Sequence, residues 1–431
     1  MQGKTLAVNN AQILGYKGKD KPVMGSLLIE DNIIKKISGE QFDADRIIDA
    51  KKNLLIPGFI NTHSHVAMSR FKGLLDDMKL SEFLEKTFKL DSQRTDEDIY
   101  NSSIMGICEM IDSGITSFAD LYYSEDIIAK AVEDTGIRGF LSWNTLDKKY
   151  TTQTGEPIEN AENFIRDFSK KSTLITPSIG VQGIYVASDD TYLQAYEISK
   201  KYGTIIHTHL AETREEINNC MKEKGKRPVE HLESIGFLHR NLLAAHTVWM
   251  NLSEVRYLAK NNVSVSWNSV SNEKLGVGGI PPIPELMAQG VNVSMGTDSC
   301  GSNNSLDMFC VMKNSALSLK NSRWDPSLLK ANELFLMATQ NGSYAVHNNS
   351  IGSIGENMFA DLVIIDVEAS NMFPTSDVNA VNNLIYSANP GNIHTVIVNG
   401  NVLKQNFRFS KDLEKLRKKA MRYVRENFIT P

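Results

Sequence analysis

Long apolar runs are missing from this chain. No stretch of the 431 residues approaches the roughly 20 needed to cross a bilayer as a helix, which argues against an integral membrane protein. Excess positive charge is missing too. With 46 Lys and Arg against 51 Asp and Glu, the formal charge is −5, which argues against a nucleic-acid binder held by phosphate contacts. Cysteine is sparse: Cys108, Cys220, Cys300 and Cys310 show no C-x-x-C spacing, so neither a disulfide framework nor a zinc ribbon is signalled. A reducing cytoplasm is the expected location. The opening Met1-Gln2-Gly3-Lys4-Thr5 lacks the apolar segment and cleavage site of a secretory signal, and no repeat or low-complexity tract interrupts the chain.

What is present describes a large folded enzyme-sized chain. Hydrophobic residues make up 41% and charged residues 23%, enough for a sizeable core. The first segment reads as short strands at Thr5–Leu14, Gly25–Glu30, Asn32–Ile37, Arg46–Asp49 and Leu54–Ile56, broken by turns such as Gly18-Lys19-Asp20. From Gly58 the pattern becomes strand–helix alternation, the mark of parallel βα units. Eight strands are expected: Pro57–Asn61, Ile115–Asp120, Arg138–Ser142, Ile175–Val181, Gly203–His209, Leu242–Ala245, Asn262–Trp267 and Val291–Gly296. That is the count of a (β/α)8 TIM barrel. Near Met358 strands return (Asp361–Val367, His394–Val398, Asn401–Leu403), followed by an amphipathic helix over Lys411–Asn427 whose basic face reads as solvated. We therefore expect an α/β protein in which 57–357 form the barrel. Residues 1–56 and 358–431 are expected to pair into a small β-sandwich domain.

The polar residues that end these strands carry the chemistry. In an extended strand, residues i and i+2 share a face, so His63 and His65 of Asn61-Thr62-His63-Ser64-His65 present two imidazoles side by side. His209 ends the fifth strand, with Glu212 three residues on; His246 ends the sixth, and Asp298 follows the eighth through Gly296-Thr297. His207 lies one layer lower on the His209 face and reads as a supporting or core residue. Active sites of such barrels sit at the C-terminal strand ends, so position and residue type agree. Taken one by one, each histidine is equally a polar strand-end residue; convergence of four strand ends with Asp298 outweighs that reading. Three histidines and a carboxylate leave a place open for water, the arrangement of a catalytic metal that renders water nucleophilic. Zinc best suits the ligands, with iron(II) or manganese as alternatives. One metal per chain is expected, because Ile175–Gly183 contains no lysine to bridge two. Glu212 suits a proton carrier, and Asp298 and His246 suit groups that take a proton from water.

Pro57-Gly58-Phe59-Ile60-Asn61-Thr62-His63-Ser64-His65, His209-Leu210-Ala211-Glu212, His246 and Gly296-Thr297-Asp298 together resemble the amidohydrolase superfamily. Over nearly the whole chain the likeness is nearest its methylthioadenosine/S-adenosylhomocysteine deaminases and their chlorohydrolase relatives. The resemblance implies that His63, His65, His209 and Asp298 hold the metal, that Glu212 protonates a ring nitrogen, and that His246 polarises the attacking water. It also implies a small heterocyclic substrate and a homo-oligomer as one option for the assembly. The sequence departs from that branch where substrate is read. Gln182-Gly183-Ile184-Tyr185 replaces His-x-Pro-Tyr, Trp249 stands for a second histidine, and Asn268-Ser269-Val270-Ser271-Asn272 replaces Asn-Pro-x-Ser-Asn. Phe83 and about Ser92 replace a tryptophan and a glutamate, and Trp143 stands where an arginine is common. Phe83, Trp143, Gln182, Tyr185 and Trp249 are thus the candidate substrate contacts, the rings either lining an aromatic pocket or packing between barrel and helices.

Three readings remain on this basis. Hydrolytic deamination of an amino-substituted N-heterocycle is favoured by Glu212. Attack on a C–Cl, C–N or cyclic amide bond of a triazine-, imidazolone- or lactam-like ring uses the same metal set. A catalytically silent metal-binding protein is the third, but no ligand is missing. The H-x-E with P-C-x-x-C signature of the unrelated zinc deaminase fold is absent, as is H-E-x-x-H.

Overall fold

The computed structural model describes residues 4–16, 21–78 and 80–427; the expected turn at Gly18-Lys19-Asp20 lies outside them. Eight parallel strands form the central sheet in sequence order: Phe59–Ser64, Ile115–Tyr122, Arg138–Thr145, Ile175–Val181, Ile206–Leu210, Leu242–His246, Ser264–Trp267 and Asn292–Met295. All eight coincide with the expected strands to within a few residues. The first and last approach each other at their C-terminal ends, where the Asp298 N–H donates to the His63 carbonyl at 2.9 Å. The contact between the first and last strands thus also sets Asp298 beside His63.

Strands from both ends of the chain form a second, nine-stranded mixed sheet. Leu54–Pro57 lies at its middle, parallel to Thr5–Ile13 on one side and antiparallel to Leu362–Ile365 on the other. A residue pair, Pro57 with Leu362, is the last of that ladder. Gly58 then carries the chain into the barrel. A Cβ there would fall 2.1 Å from the Thr116 side chain, so only glycine passes. Arg138 and Asp361 join the two sheets through a buried ion pair, Nε to Oδ2 at 2.8 Å.

Helices cover the barrel where amphipathic spacing predicts them, including Asp96–Asp112, Glu125–Thr135 and Asp189–Tyr202. Leu80–Asp91 and Met308–Arg323 are further helices packed on the barrel. The buried stripe of the latter includes Ser315 beside Val311, Met312, Ala316 and Leu319, and a polar residue in the stripe blurs the period. The terminal helix Lys411–Glu426 buries Leu413, Ala420 and Val424, and its Tyr423 hydroxyl reaches Asp98 of the barrel helix Asp96–Asp112 at 3.3 Å. Among the described residues, no helix is long and apolar enough to cross a membrane.

Candidate metal and proton-transfer site

The five polar side chains expected at strand ends meet at the C-terminal mouth of the barrel. His63 and His65 project from the end of the first strand with ring centroids 4.9 Å apart. His209 comes from the fifth strand, 5.0 Å from His63, and His246 from the sixth, 5.3 Å from His209. Asp298 follows the eighth strand, its Oδ1 3.7 Å from His63 Nε2 and 3.5 Å from His65 Nε2. Both His246 and Asp298 adopt left-handed backbone, φ +74° and +61°, costs that persist where surrounding contacts over-determine them. Gly296 permits the turn before Asp298. A Cβ there would meet Asn268 Oδ1 at 2.3 Å and His63 Cβ at 2.7 Å.

Each imidazole is oriented by a partner behind it. His65 Nδ1 donates to the Leu121 carbonyl at 2.5 Å and His209 Nδ1 to the Gln182 carbonyl at 2.6 Å. His63 Nδ1 pairs with His207 Nε2 at 2.8 Å, which makes His207 a supporting residue. His246 Nδ1 pairs with Asn272 Oδ1 at 2.8 Å. Asp298 Oδ2 accepts from the Ser271 hydroxyl at 2.6 Å, while Oδ1 accepts from the Ser299 N–H. Asp120 brackets His65, accepting from the Ser64 hydroxyl at 2.6 Å and the Val66 N–H at 2.7 Å.

Charge states follow from burial and neighbours. Burial, reinforced by the adjacent imidazoles, holds His63 and His209 well below the ordinary histidine value, so both are neutral lone-pair donors. Burial would raise the Asp298 carboxyl, but His65, His246 and the Ser271 hydroxyl outweigh it and keep it ionised. Burial likewise would lower His246, yet Glu212 and Asp298 prevail and raise it. Glu212 is raised by burial, with its Oε1 3.9 Å from His246 Nδ1.

This donor set fits a divalent cation. His63 Nε2 is buried without a hydrogen-bond partner. With their Nδ1–H groups committed to carbonyls, His65 and His209 turn unprotonated Nε2 atoms toward each other at 3.3 Å, a repulsive contact that a shared cation relieves. Ligand atoms of His63, His65 and Asp298 lie within 4.8 Å of one another, as do those of His63, His209 and His246. The site has two overlapping donor triplets, a point that sequence spacing did not show.

Beside this cluster lies a cavity of about 200 Å³, lined by His65, His209, Glu212, His246 and Asp298 on its floor. Phe83, Gln182 and Tyr185 line it, and Gln182 Nε2 donates to the Tyr185 hydroxyl at 3.1 Å. Trp143 and Trp249 do not. The Trp143 indole leans on Phe164 outside the strand and donates to Gln153 Oε1 at 2.9 Å. The Trp249 indole donates to the Val277 carbonyl at 2.8 Å beneath the Arg214 guanidinium. Neither ring lines the cavity: the Trp143 N–H is satisfied by Gln153, itself a wall residue, and the Trp249 N–H by a backbone carbonyl, so both rings pack behind the walls. Cys300 is buried and does not line the cavity. Residues that the sequence did not single out include Asn144, which bonds Gln182 Oε1, and Asp91, Tyr122 and Tyr150 of the walls. Asp120 and Asn144 lie in predicted strands or just beyond them, so their place near a strand end was the available signal.

Residues 54–403 match the amidohydrolase family model. The chain belongs to the amidohydrolase family. It is 36% identical to a 5′-deoxyadenosine deaminase of Methanobrevibacter smithii, over 99% of both chains. With 5-methylthioadenosine/S-adenosylhomocysteine deaminase 1 of Archaeoglobus fulgidus the identity is 38% over 96% of each. Among solved structures, an adenosine deaminase from Xanthomonas campestris crystallised with zinc superposes with a TM-score of 0.92, at 23% identity over 99% of both chains. That likeness is one of fold, the same barrel with its companion sheet.

Proposed function

We propose that this protein is a metal-dependent hydrolase of carbon–nitrogen bonds outside peptides, deaminating an amino-substituted purine nucleoside and releasing ammonia. His63, His65, His209 and Asp298 would hold one divalent cation, zinc by preference. Such an ion supplies the Lewis acidity that makes water nucleophilic at neutral pH. The observation that carries the reading is the placement of Glu212: a largely buried carboxyl on the cavity floor, 3.9 Å from His246, with its pKa raised by desolvation. A carboxyl that holds its proton more tightly than usual is suited to deliver it to a ring nitrogen, which breaks aromaticity and opens the adjacent amino-bearing carbon to water. Asp298 and His246 would take the proton that water gives up. The C–O bond forms, the C–N bond breaks, the amino group leaves as ammonia after gaining that proton, and the new hydroxyl returns its proton to Glu212 as it becomes a carbonyl.

The names of the relatives support adenine nucleosides modified or deoxygenated at the 5′ carbon as the substrate class. Phe83, Leu84, Phe88 and Leu146 give the cavity an apolar wall suited to a 5′ end without a hydroxyl. A small-molecule enzyme of the cytoplasm, alone or as a homo-oligomer, accords with the free cysteines and the formal charge of −5. The test is ammonia release from 5′-deoxyadenosine, methylthioadenosine, adenosylhomocysteine, adenosine, adenine, guanine and cytosine. Higher kcat/KM for the 5′-modified adenosines is expected. Turnover of free bases alone, or hydrolysis of a chlorotriazine without ammonia release from any of these, overturns the proposal.

A further inference from the structure

The turn that carries Glu212 is held by a second buried carboxylate. Glu216 is the third residue of the helix Arg214–Lys224, and its N–H donates to the capping Thr213 hydroxyl at 3.1 Å. A glutamate at this position usually reaches back to the capping residue's own N–H. Here it reaches further. Oε1 accepts from the Ala211 N–H and Oε2 from the Glu212 N–H, each at 2.8 Å. Glu216 is buried, and both its oxygens are committed to this one turn. Ala211 sits at φ +52°, a left-handed conformation that is unfavourable for a non-glycine residue and persists where surrounding contacts hold it.

The opposite edge of the same turn is tied to the strand that bears His246. The Thr247 N–H donates to the Leu210 carbonyl at 2.9 Å, and the Trp249 N–H to the Ala211 carbonyl at 2.8 Å. One side of the turn is therefore gripped by Glu216 and the other by the backbone that follows His246. Glu212 and His246 cannot shift independently while both grips hold.

We propose that Glu216 is a positioning residue: its bidentate clamp on the Ala211 and Glu212 amides sets the distance between the Glu212 carboxyl and His246. This rests on the reading of Glu212 as the proton carrier. Glu216→Gln replaces one acceptor oxygen with an NH2 group facing a backbone N–H, so the clamp loses half its bonds. Because misplacement by about 1 Å can cost on the order of 100-fold in rate, kcat should fall about 10- to 100-fold with KM and bound metal nearly unchanged. Glu216→Asp, one methylene short, should lose activity similarly and serves if the glutamine variant does not fold. Ile217→Ala, which destabilises the same helix without touching the turn, should lower the melting temperature and leave kcat within about 2-fold. In metal-free protein, hydrogen exchange at the Ala211 and Glu212 amides should accelerate in Glu216→Gln and not in Ile217→Ala.

Unchanged kcat in both Glu216 variants, equal kcat losses in Ile217→Ala, or unaltered exchange at these two amides overturns the inference while the hydrolase reading stands. Absence of ammonia release from the unsubstituted enzyme across the substrate panel instead overturns that reading, and this inference with it.

Discussion

The Nε2 atoms of His65 and His209 face each other at 3.3 Å, and each ring's Nδ1 is already bonded to a backbone carbonyl. Two lone pairs at that separation repel unless a cation lies between them. Metal analysis of purified protein should therefore show about one divalent ion per chain, and a chelator should lower the melting temperature. His209→Asn should weaken metal binding by more than the roughly 10- to 100-fold loss typical of a group that only supports a ligand.

Glu212 touches none of the orienting groups that hold the four donors. Glu212→Gln should retain the full complement of metal and lose at least about 100-fold in kcat, the scale of a removed general acid. Metal content and ammonia release measured on the same preparation check this. Full activity in that variant would remove Glu212 from the mechanism.

The walls should separate by position. Phe83→Ala and Gln182→Ala should raise KM, because both side chains line the cavity. Trp249→Phe should change KM by less than about 3-fold, since the indole is engaged with the Val277 carbonyl and faces away. A Trp249 effect larger than the Phe83 effect would place substrate where this arrangement does not.

Asp307 caps the helix Met308–Arg323, accepting from the Phe309 N–H at 2.8 Å, and burial pushes its pKa up to about 6. The folded state thus holds this proton more tightly than the unfolded chain. Its stabilising contribution is full below the ordinary aspartate range and declines as pH rises to about 6. Asp307→Asn keeps the cap without the titration and should gain on the order of 1 kcal/mol over the parent at pH 7.5 relative to pH 4. Urea denaturation at the two pH values measures it.

The Arg138–Asp361 pair is buried on both sides, and Asp361 Oδ1 also accepts the Asn399 N–H at 2.7 Å. Asp361→Ala strands a guanidinium between barrel and terminal sheet and should cost about 3–5 kcal/mol. Thermal unfolding of the metal-loaded protein would show it, with metal content unchanged below the transition.

Local pattern determined much of this protein. Apolar runs of strand length stop at His63, His65, His209 and His246, and another just before Asp298, so these residues were legible as a set although most of them are buried. Eight such runs with helical spacing between them sufficed for the barrel. Only the tertiary structure decided the rest. Trp143 and Trp249 have the chemistry of pocket residues, and a strand position does not say which face an indole will satisfy its N–H on. Glu216 and Asp120 read as ordinary helix and strand carboxylates until folding brings backbone amides from a neighbouring turn within bonding distance. The donors are strand-end side chains whose place follows from short-range periodicity. Their supports come from other strands and turns, and contacts of that kind exist only once the barrel has closed.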